Sequence, residues 1–447
     1  MTDDRRRRLH LLVPDGNGRV LADTGGRLPV VTFALNPDDT TVAAARRIAA
    51  ERWSVTRPVL EVVFDESGSG DDDSSLGAAG AVATAVVVFE PPADAGPAPA
   101  GLVWSDDVDG SDLPVELRRR AEGWRAEWRG AATPDRRRAR WSQAGWYDRM
   151  SSWVDGRLAE HGRRRIGPVE QRRHWSISAV LRSDTDRGPV WAKAVFPVFG
   201  HEPVVTAFID AAAPGTVAPV LAVDAEEGWL LLEDIGPVVV SERPEADDDA
   251  IRRLVALQRS FIGRTAALAA VGFPARPFSD LPDQLTDVLG DGDLRAWLDV
   301  APDRAAAIVS WVAAGVDQAA AVGLPDTIVH GDFHPENVVL RDGRAIVFDW
   351  SDAAVANPLV DAMTWSTWLG DDPARGERAW EVFLDAWSVA VPAERVRAAR
   401  PTLTGLTAAY HTVSYAGILR ALEPALRNEL GDGLRAYGTA LDAAVPR

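Results

Sequence analysis

Two short runs near the start of the chain, 9–13 and 29–35, are apolar at most positions and flank the turn-forming Asp15-Gly16-Asn17-Gly18. Short apolar runs divided by turn residues predict a pair of strands. Asp38-Asp39-Thr40-Thr41 then offers oxygens to the first amides of a helix over 42–53. Runs 59–64 and 81–89 predict further strands, separated by a small and polar loop over 65–80 and followed by a Pro/Ala/Gly linker over 91–101. The pattern changes at Trp104. Trp104, Trp124, Trp128, Trp141, Trp146 and Trp153 crowd a stretch in which Trp124 and Trp128 share one helix face. Tryptophans at this density require burial, so 104–153 is expected to form helices that clamp the first domain onto the remainder of the chain. Sugar stacking by one or two of them is the alternative. The basic run 135–140 reads as a solvated helix face.

Strand alternation appears at 174–181 and 188–196, then at 219–223 and 228–232, with a helix starting at Glu202 between the pairs. Beyond residue 246 the period becomes helical. One helix is expected over 246–270, with Asp247, Asp248 and Asp249 at its positive end and Gly272-Phe273-Pro274 as its stop. Others are expected over 301–322, 375–390, 398–422 and 424–444. The interruption lies at 328–352. There the apolar pair Ile328-Val329 leads to His330-Gly331-Asp332, and two short strands, 338–340 and 345–348, flank Asp342-Gly343, a pair that tolerates the positive φ of a tight hairpin.

Composition sets bounds on this picture. A chain of 447 residues with 46% hydrophobic content is long enough for two or three packed domains. A net charge of −18 argues against nucleic acid or an anionic membrane as partner. It would suit a cationic substrate, although solubility alone explains it. With no cysteine there is neither disulfide nor thiolate chemistry, and the 7 scattered histidines form no zinc spacing. No apolar stretch of signal-peptide length comes after the N-terminal arginines and no uncharged apolar run of roughly 18 residues occurs. A cytoplasmic protein is expected; oligomeric state is left open.

The hairpin at 328–352 carries the chemistry. Asp332 and Asn337 stand just before its first strand and Asp349 at the end of its second. Hard divalent cations such as magnesium take oxygen ligands, few of them carboxylates, and let substrate phosphates supply the rest. Asn337 and Asp349 suit that need, which leaves Asp332 to accept a proton from a hydroxyl. Upstream, Lys193 stands alone among apolar residues, and a lysine there is costly unless it meets an anion; an edge-strand lysine reaching water is the alternative.

His-Gly-Asp-Phe-His-Pro-Glu-Asn at 330–337, followed by Ile-Val-Phe-Asp-Trp-Ser-Asp at 346–352, resembles the aminoglycoside phosphotransferase and choline kinase group, which has a protein-kinase-like fold. The resemblance implies an ATP- and Mg²⁺-dependent transfer of phosphate to the hydroxyl of an aminoglycoside, sugar or amino alcohol. Asp332 would be the catalytic base, and Asn337 and Asp349 the metal ligands. Lys193 would hold nucleotide phosphates with Glu202 as its helix partner. The backbone of Glu233, Asp234 and Ile235 would bind adenine. Ser178 would lie in the hairpin over the phosphates, where protein kinases use glycine. Asp361 resembles an aspartate that braces the catalytic loop. Asp352 reads equally as a surface acid or a substrate contact. Asp371, Asp372, Glu377, Glu381 and Asp385 would surround the acceptor entrance, where a polycationic acceptor could use them; a solvated face is the usual reading of such charges. A pseudokinase or nucleotide-binding interaction module is the rival reading.

The expected fold is α+β: a small N-terminal domain over 1–103, a Trp-rich helical connector over 104–164, a β-rich kinase-like N-lobe over 165–235 and a helical C-lobe over 236–447. The first domain resembles a Nudix hydrolase, with 46–53 in place of the Nudix helix, but of the glutamates that family uses only Glu51 remains. An unrelated α+β domain fits the same pattern.

Overall fold

The computed structural model describes residues 6–35, 39–65, 82–94 and 96–446. Asp38 of the expected helix cap, and the expected polar loop from residue 66 on, lie outside them. Contacts divide the chain into two units, Met1–Phe196 with Leu422–Glu429 and Pro197–Ala421 with Leu430–Arg447. The boundaries expected at 103/104 and 164/165 fall inside the first unit and that at 235/236 inside the second.

The first unit begins with β1 (Arg6–Leu12), β2 (Val20–Ala22), β3 (Val30–Ala34), α1 (Thr41–Trp53), β4 (Val59–Phe64), β5 (Val82–Phe89) and β6 (Val103–Ser105). Strands β3-β1-β5-β4 form one sheet, in which β1 runs parallel to β5 and every other pair is antiparallel. Its period-two alternation is divided between two faces. Leu9, Leu11, Ala85 and Val87 pack on one side with Val42, Ala45 and Ile48 of α1. Leu12, Val86 and Val88 pack on the other with Leu117, Ala121 and Trp124 of α2 (Val115–Trp128). The connector is therefore part of the first domain's core. Thr40 caps α1 by accepting from the Ala43 amide at 3.3 Å. Glu51 is 64% exposed and meets Arg47 at 3.9 Å. Among the described residues no three His, Cys, Asp or Glu side chains are placed together to hold a metal.

Trp124, Trp141 and Trp146 are buried, as tryptophan density requires; Trp146 opens α3 (Trp146–Glu160). The basic run is exposed at Arg136, Arg137 and Arg140, as expected, but it forms a turn and not an α-helix, and Arg138 departs from expectation. Arg138 is buried, its guanidinium lies 4.1 Å over the Trp124 ring, and it pairs with Glu127 and with Glu423 at 3.4 Å. Arg120 joins Glu423 at 2.6 Å and also pairs with buried Glu61 of β4. Burial pushes the Glu61 carboxyl up, and Arg120 overcomes this and holds it below its usual value. A buried charge left unpartnered is costly, which is why these side chains converge here.

Strands β7 (Glu170–His174), β8 (Ser178–Ser183) and β9 (Val190–Val195) come next as an antiparallel set. Gln171 ties β7 to the N-terminal sheet, imitating a ladder rung: its Oε1 accepts from the Val59 amide at 2.9 Å and its Nε2 donates to the Val59 carbonyl at 2.9 Å. His174 lies alongside, its Nε2 2.6 Å from the Leu60 carbonyl and its pKa lowered by burial to about 4, so the ring is neutral at pH 7. Gln171→Ala leaves two buried main-chain groups unpaired and is expected to cost about 1–3 kcal/mol in a urea unfolding midpoint.

The second unit holds α4 (Glu202–Ala212), the hairpin β10 (Val220–Asp224) and β11 (Trp229–Glu233), and a helical body. The single helix expected over 246–270 is two, α5 (Asp247–Ser260) and α6 (Thr265–Val271), bent by 99°. Gly263 at φ 74° breaks the ladder between them. The chain continues through α7 (Leu281–Gly290), α8 (Gly292–Leu298) and α9 (Pro302–Val322). Helix α9 is long and apolar enough by composition to cross a membrane, with mean hydropathy 1.5, yet it carries Asp303, Arg304 and Asp317. Its Gly315 lies where an added Cβ would meet Thr402 at 3.1 Å and Leu406 at 3.4 Å, so α9 works as a packing helix within this unit. Next come β12 (Thr327–Val329), β13 (Val338–Arg341), β14 (Arg344–Val347), β15 (Ala354–Ala356), α10 (Leu359–Trp368), α11 (Pro373–Trp387), α12 (Ala393–Ala421) and α13 (Asn428–Ala444). Strand β12 pairs with β15, and β13 with β14.

Candidate active site

The expected hairpin forms as β13–β14, with Val338 opposite Val347 and Arg341 opposite Arg344. Asp342 and Gly343 both take positive φ, 51° and 74°, which matches the right-handed twist of the strands. The Phe348 amide donates to the Asn337 carbonyl at 3.0 Å, so the ladder sets Asn337 beside the end of β14. There Asp349 turns the chain in the left-handed region, φ 62°, and its Oδ1 accepts from Ser351 Oγ at 2.7 Å.

The loop before β13 is held at its backbone. Asp361, fully buried near the start of α10, accepts from the His330 amide at 2.9 Å, the Gly331 amide at 2.8 Å and Gln258 Nε2 at 2.8 Å. Burial pushes its carboxyl up to about 7 against these three donors. His330 has its pKa lowered by burial, so its neutral ring donates from Nε2 to the Phe348 carbonyl at 2.9 Å while Nδ1 receives the Asp332 amide at 3.3 Å. Gly331 is required twice over: its φ is 86°, and a Cβ there would lie 2.2 Å from the Asp352 carbonyl oxygen.

On this frame the Asp332 side chain is 44% exposed. Burial of its surroundings pushes the carboxyl up, but the charge and hydrogen bond of His334, whose Nε2 lies 3.4 Å away, overcome that and hold it at about 2. His334 is raised in return: burial opposes its charged form, and Asp332 outweighs burial. Asn337 donates from Nδ2 to the Asp332 carbonyl at 2.9 Å. The loop thus uses the amide nitrogen, and the remaining oxygen is of the kind a hard cation takes. With the Asp349 carboxylate it makes a sparse oxygen set that suits magnesium only if a ligand's phosphates complete it.

The other expected residues are spread over both units. Ser178 lies at the start of β8 in the first unit, and Lys193 lies in β9 opposite Val180. Glu202 opens α4 in the second unit. In the turn before Ser178, the Ser176 amide donates to Glu429 Oε2 at 3.2 Å, so a carboxylate already occupies a backbone donor of that hairpin. Around Glu233, Asp234 and Ile235, the Glu233 amide donates to the Pro219 carbonyl at 3.0 Å and the Asp234 carbonyl accepts from Arg341 at 3.0 Å. Two of the backbone groups expected to meet adenine therefore have protein partners.

Several acids expected around the acceptor entrance serve the fold. Glu377 pairs with Arg400 and Glu381 with Arg397, each at 2.7 Å; Asp385 pairs with Arg252 at 2.9 Å; and Asp372 caps α11. Asp352 differs from these. Burial raises its carboxyl to about 6, Asp332 adds to the effect, and Arg276 at 3.8 Å and Ser414 at 3.1 Å oppose it. Sequence reasoning overlooked His334, although it lies within the motif. It also overlooked Arg276, Ser414 and Trp368, which are remote in the chain and give no local signal.

Residues 203–399 match the profile of the phosphotransferase enzyme family (APH). Comparison with curated protein sequences gave no match. Among solved structures, a putative aminoglycoside phosphotransferase from Ralstonia eutropha JMP134 is 15% identical over 66% of this chain and 98% of its own, with a TM-score of 0.46. A choline/ethanolamine kinase family protein from Mesorhizobium loti is 20% identical over 66% and 99%, with a TM-score of 0.46. The choline kinase LicA from Streptococcus pneumoniae is 13% identical over 65% and 99%, with a TM-score of 0.47. The profile spans the chain from α4 into α12 and includes Asp332, Asn337 and Asp349.

Proposed function

We propose that the protein is an ATP- and magnesium-dependent kinase that transfers the γ-phosphate to a hydroxyl of a small molecule of the aminoglycoside, sugar or amino-alcohol class. The observation that carries this reading is the pinned loop that sets Asp332 and Asn337 beside Asp349. Asp332, ionised through the neutral range, orients the acceptor hydroxyl and takes its proton. The hydroxyl oxygen bonds to the γ-phosphorus as the bond to the bridging oxygen breaks, and ADP leaves. Asn337 and Asp349 would hold magnesium, which supplies positive charge to the donor phosphates. Lys193, Glu202, Ser178 and the backbone of Ile235 take the donor-binding roles assigned from the sequence, while the Glu233 amide and the Asp234 carbonyl are engaged by Pro219 and Arg341. Rate enhancement on such a frame is chiefly positioning and charge stabilisation. A cytoplasmic setting, where both ATP and magnesium are plentiful, fits this chemistry.

The second reading, a nucleotide-binding module without phosphotransfer, is favoured by the Glu429 carboxylate at the Ser176 amide. A coupled ADP-release screen over hydroxyl acceptors separates the two. The kinase reading expects ADP release stimulated by at least one acceptor class, abolished by EDTA and restored by magnesium. Mg-ATP binding with no ADP release for any acceptor would support the binding module.

A further inference from the structure

The backbone of the catalytic loop is braced through Asp361, but those contacts end at Gly331. The Asp332 carboxyl and the Asn337 amide project beyond them. The side chain that touches both is His334, with Nε2 3.4 Å from Asp332 Oδ2 and 3.0 Å from Asn337 Nδ2. His334 is itself fixed from one side. Its ring lies parallel to the indole of Trp368, at an interplanar angle of 4° and a centroid separation of 5.2 Å.

Helix α10 makes two successive contacts of this kind. Trp365 is fully buried and packs on Phe333, with ring centroids 4.5 Å apart. Trp368, one turn later, meets the next loop residue. Trp365 is core, as its burial shows. Trp368 is only partly buried and the His334 side chain is 13% exposed, so the stack lies at the margin of the core, next to the exposed Asp332 carboxyl. A planar contact fixes both χ angles of an imidazole, and a fixed imidazole restricts the rotamer of the carboxylate it touches.

We propose that Trp368 is a positioning residue of the phosphotransfer site, stacking on His334 so that His334 holds the Asp332 carboxyl in its working rotamer. This inference rests on the kinase reading given above. Trp368 touches neither donor nor acceptor; it acts through His334.

The test compares Trp368→Leu, which keeps apolar bulk without a plane, with Trp368→Phe, which restores a plane. The first readout is independent of activity. In the whole protein the His334 ring protons are shifted upfield by the indole; in Trp368→Leu they move towards free-histidine values. The second is steady-state ADP release from Mg-ATP, with water as acceptor or with any acceptor found by screening. Turnover in Trp368→Leu falls by about tenfold or more, the KM for Mg-ATP stays within about twofold, and Trp368→Phe recovers most of the loss. Unchanged turnover in a folded Trp368→Leu protein, or no recovery in Trp368→Phe, overturns the inference. Asp332→Asn separates this failure from that of the underlying reading: if Asp332→Asn is inactive while Trp368→Leu is unaffected, only the positioning role is lost. Full activity of Asp332→Asn, or no turnover by the unaltered protein, removes both.

Discussion

Asp332→Asn is expected to lower acceptor-dependent turnover by about 10²- to 10⁴-fold, the range that a positioned general base contributes, while Mg-ATP binds nearly as before. The substitution preserves side-chain size and the Asp332 carbonyl, to which Asn337 Nδ2 donates at 2.9 Å, so the frame around the proposed metal ligands persists. What is lost is an acceptor for the hydroxyl proton. The carboxyl is held at about 2 by His334 against burial, so it is ionised across the whole neutral range. Raising the pH therefore does not rescue the variant, because the missing group is not one that deprotonates there. Steady-state kinetics with a screened acceptor, beside calorimetric titration with Mg-ATP, gives the two numbers needed. Turnover like that of the unaltered protein would mean that another group takes the proton.

Local features of this region were legible from the chain because their causes are local. The Asp342-Gly343 turn, the two strands beside it and the oxygen-bearing side chains at their ends all arise from neighbours a few residues apart. Features that depend on distant partners were not. Nothing near Gly331 in the chain shows that the Asp352 carbonyl lies where a Cβ would be. Arg138 looked solvated because neither Glu127 nor Glu423 can be assigned to it by spacing. Glu377, Glu381 and Asp385 looked available to a cationic acceptor until Arg400, Arg397 and Arg252 were seen to neutralise them. The bend between α5 and α6 was hidden by an apolar period that continues through Gly263. Net charge is a poor guide to a site for the same reason: Glu377, Glu381 and Asp385 form ion pairs and Asp372 caps a helix, while the candidate site depends on a few acids in fixed places.

Asp361→Asn should damage stability and turnover together. The native side chain accepts from three donors, the amides of His330 and Gly331 and the Gln258 side chain, all between 2.8 and 2.9 Å. An asparagine has one carbonyl oxygen and one amino group, so at least one main-chain donor of the catalytic loop faces another donor. The expected cost is about 3 kcal/mol, the upper part of the range for a buried group left unpaired. A loop displaced by about 1 Å costs up to about 100-fold in turnover, so activity falls even where the variant is folded. The pH dependence gives the finer test. Burial raises the carboxyl to about 7, above its unfolded value, so the native state retains a proton that the unfolded chain releases near pH 4. The contribution of this group is therefore full below about pH 4 and is lost as the pH rises through about 7. Asparagine has no such dependence. The stability gap between the two proteins, read from urea midpoints at pH 5 and pH 8, should narrow at the higher pH. A gap that widened would mean that Asp361 is ionised when it braces the loop, and that its charge contributes to holding the His330 and Gly331 amides.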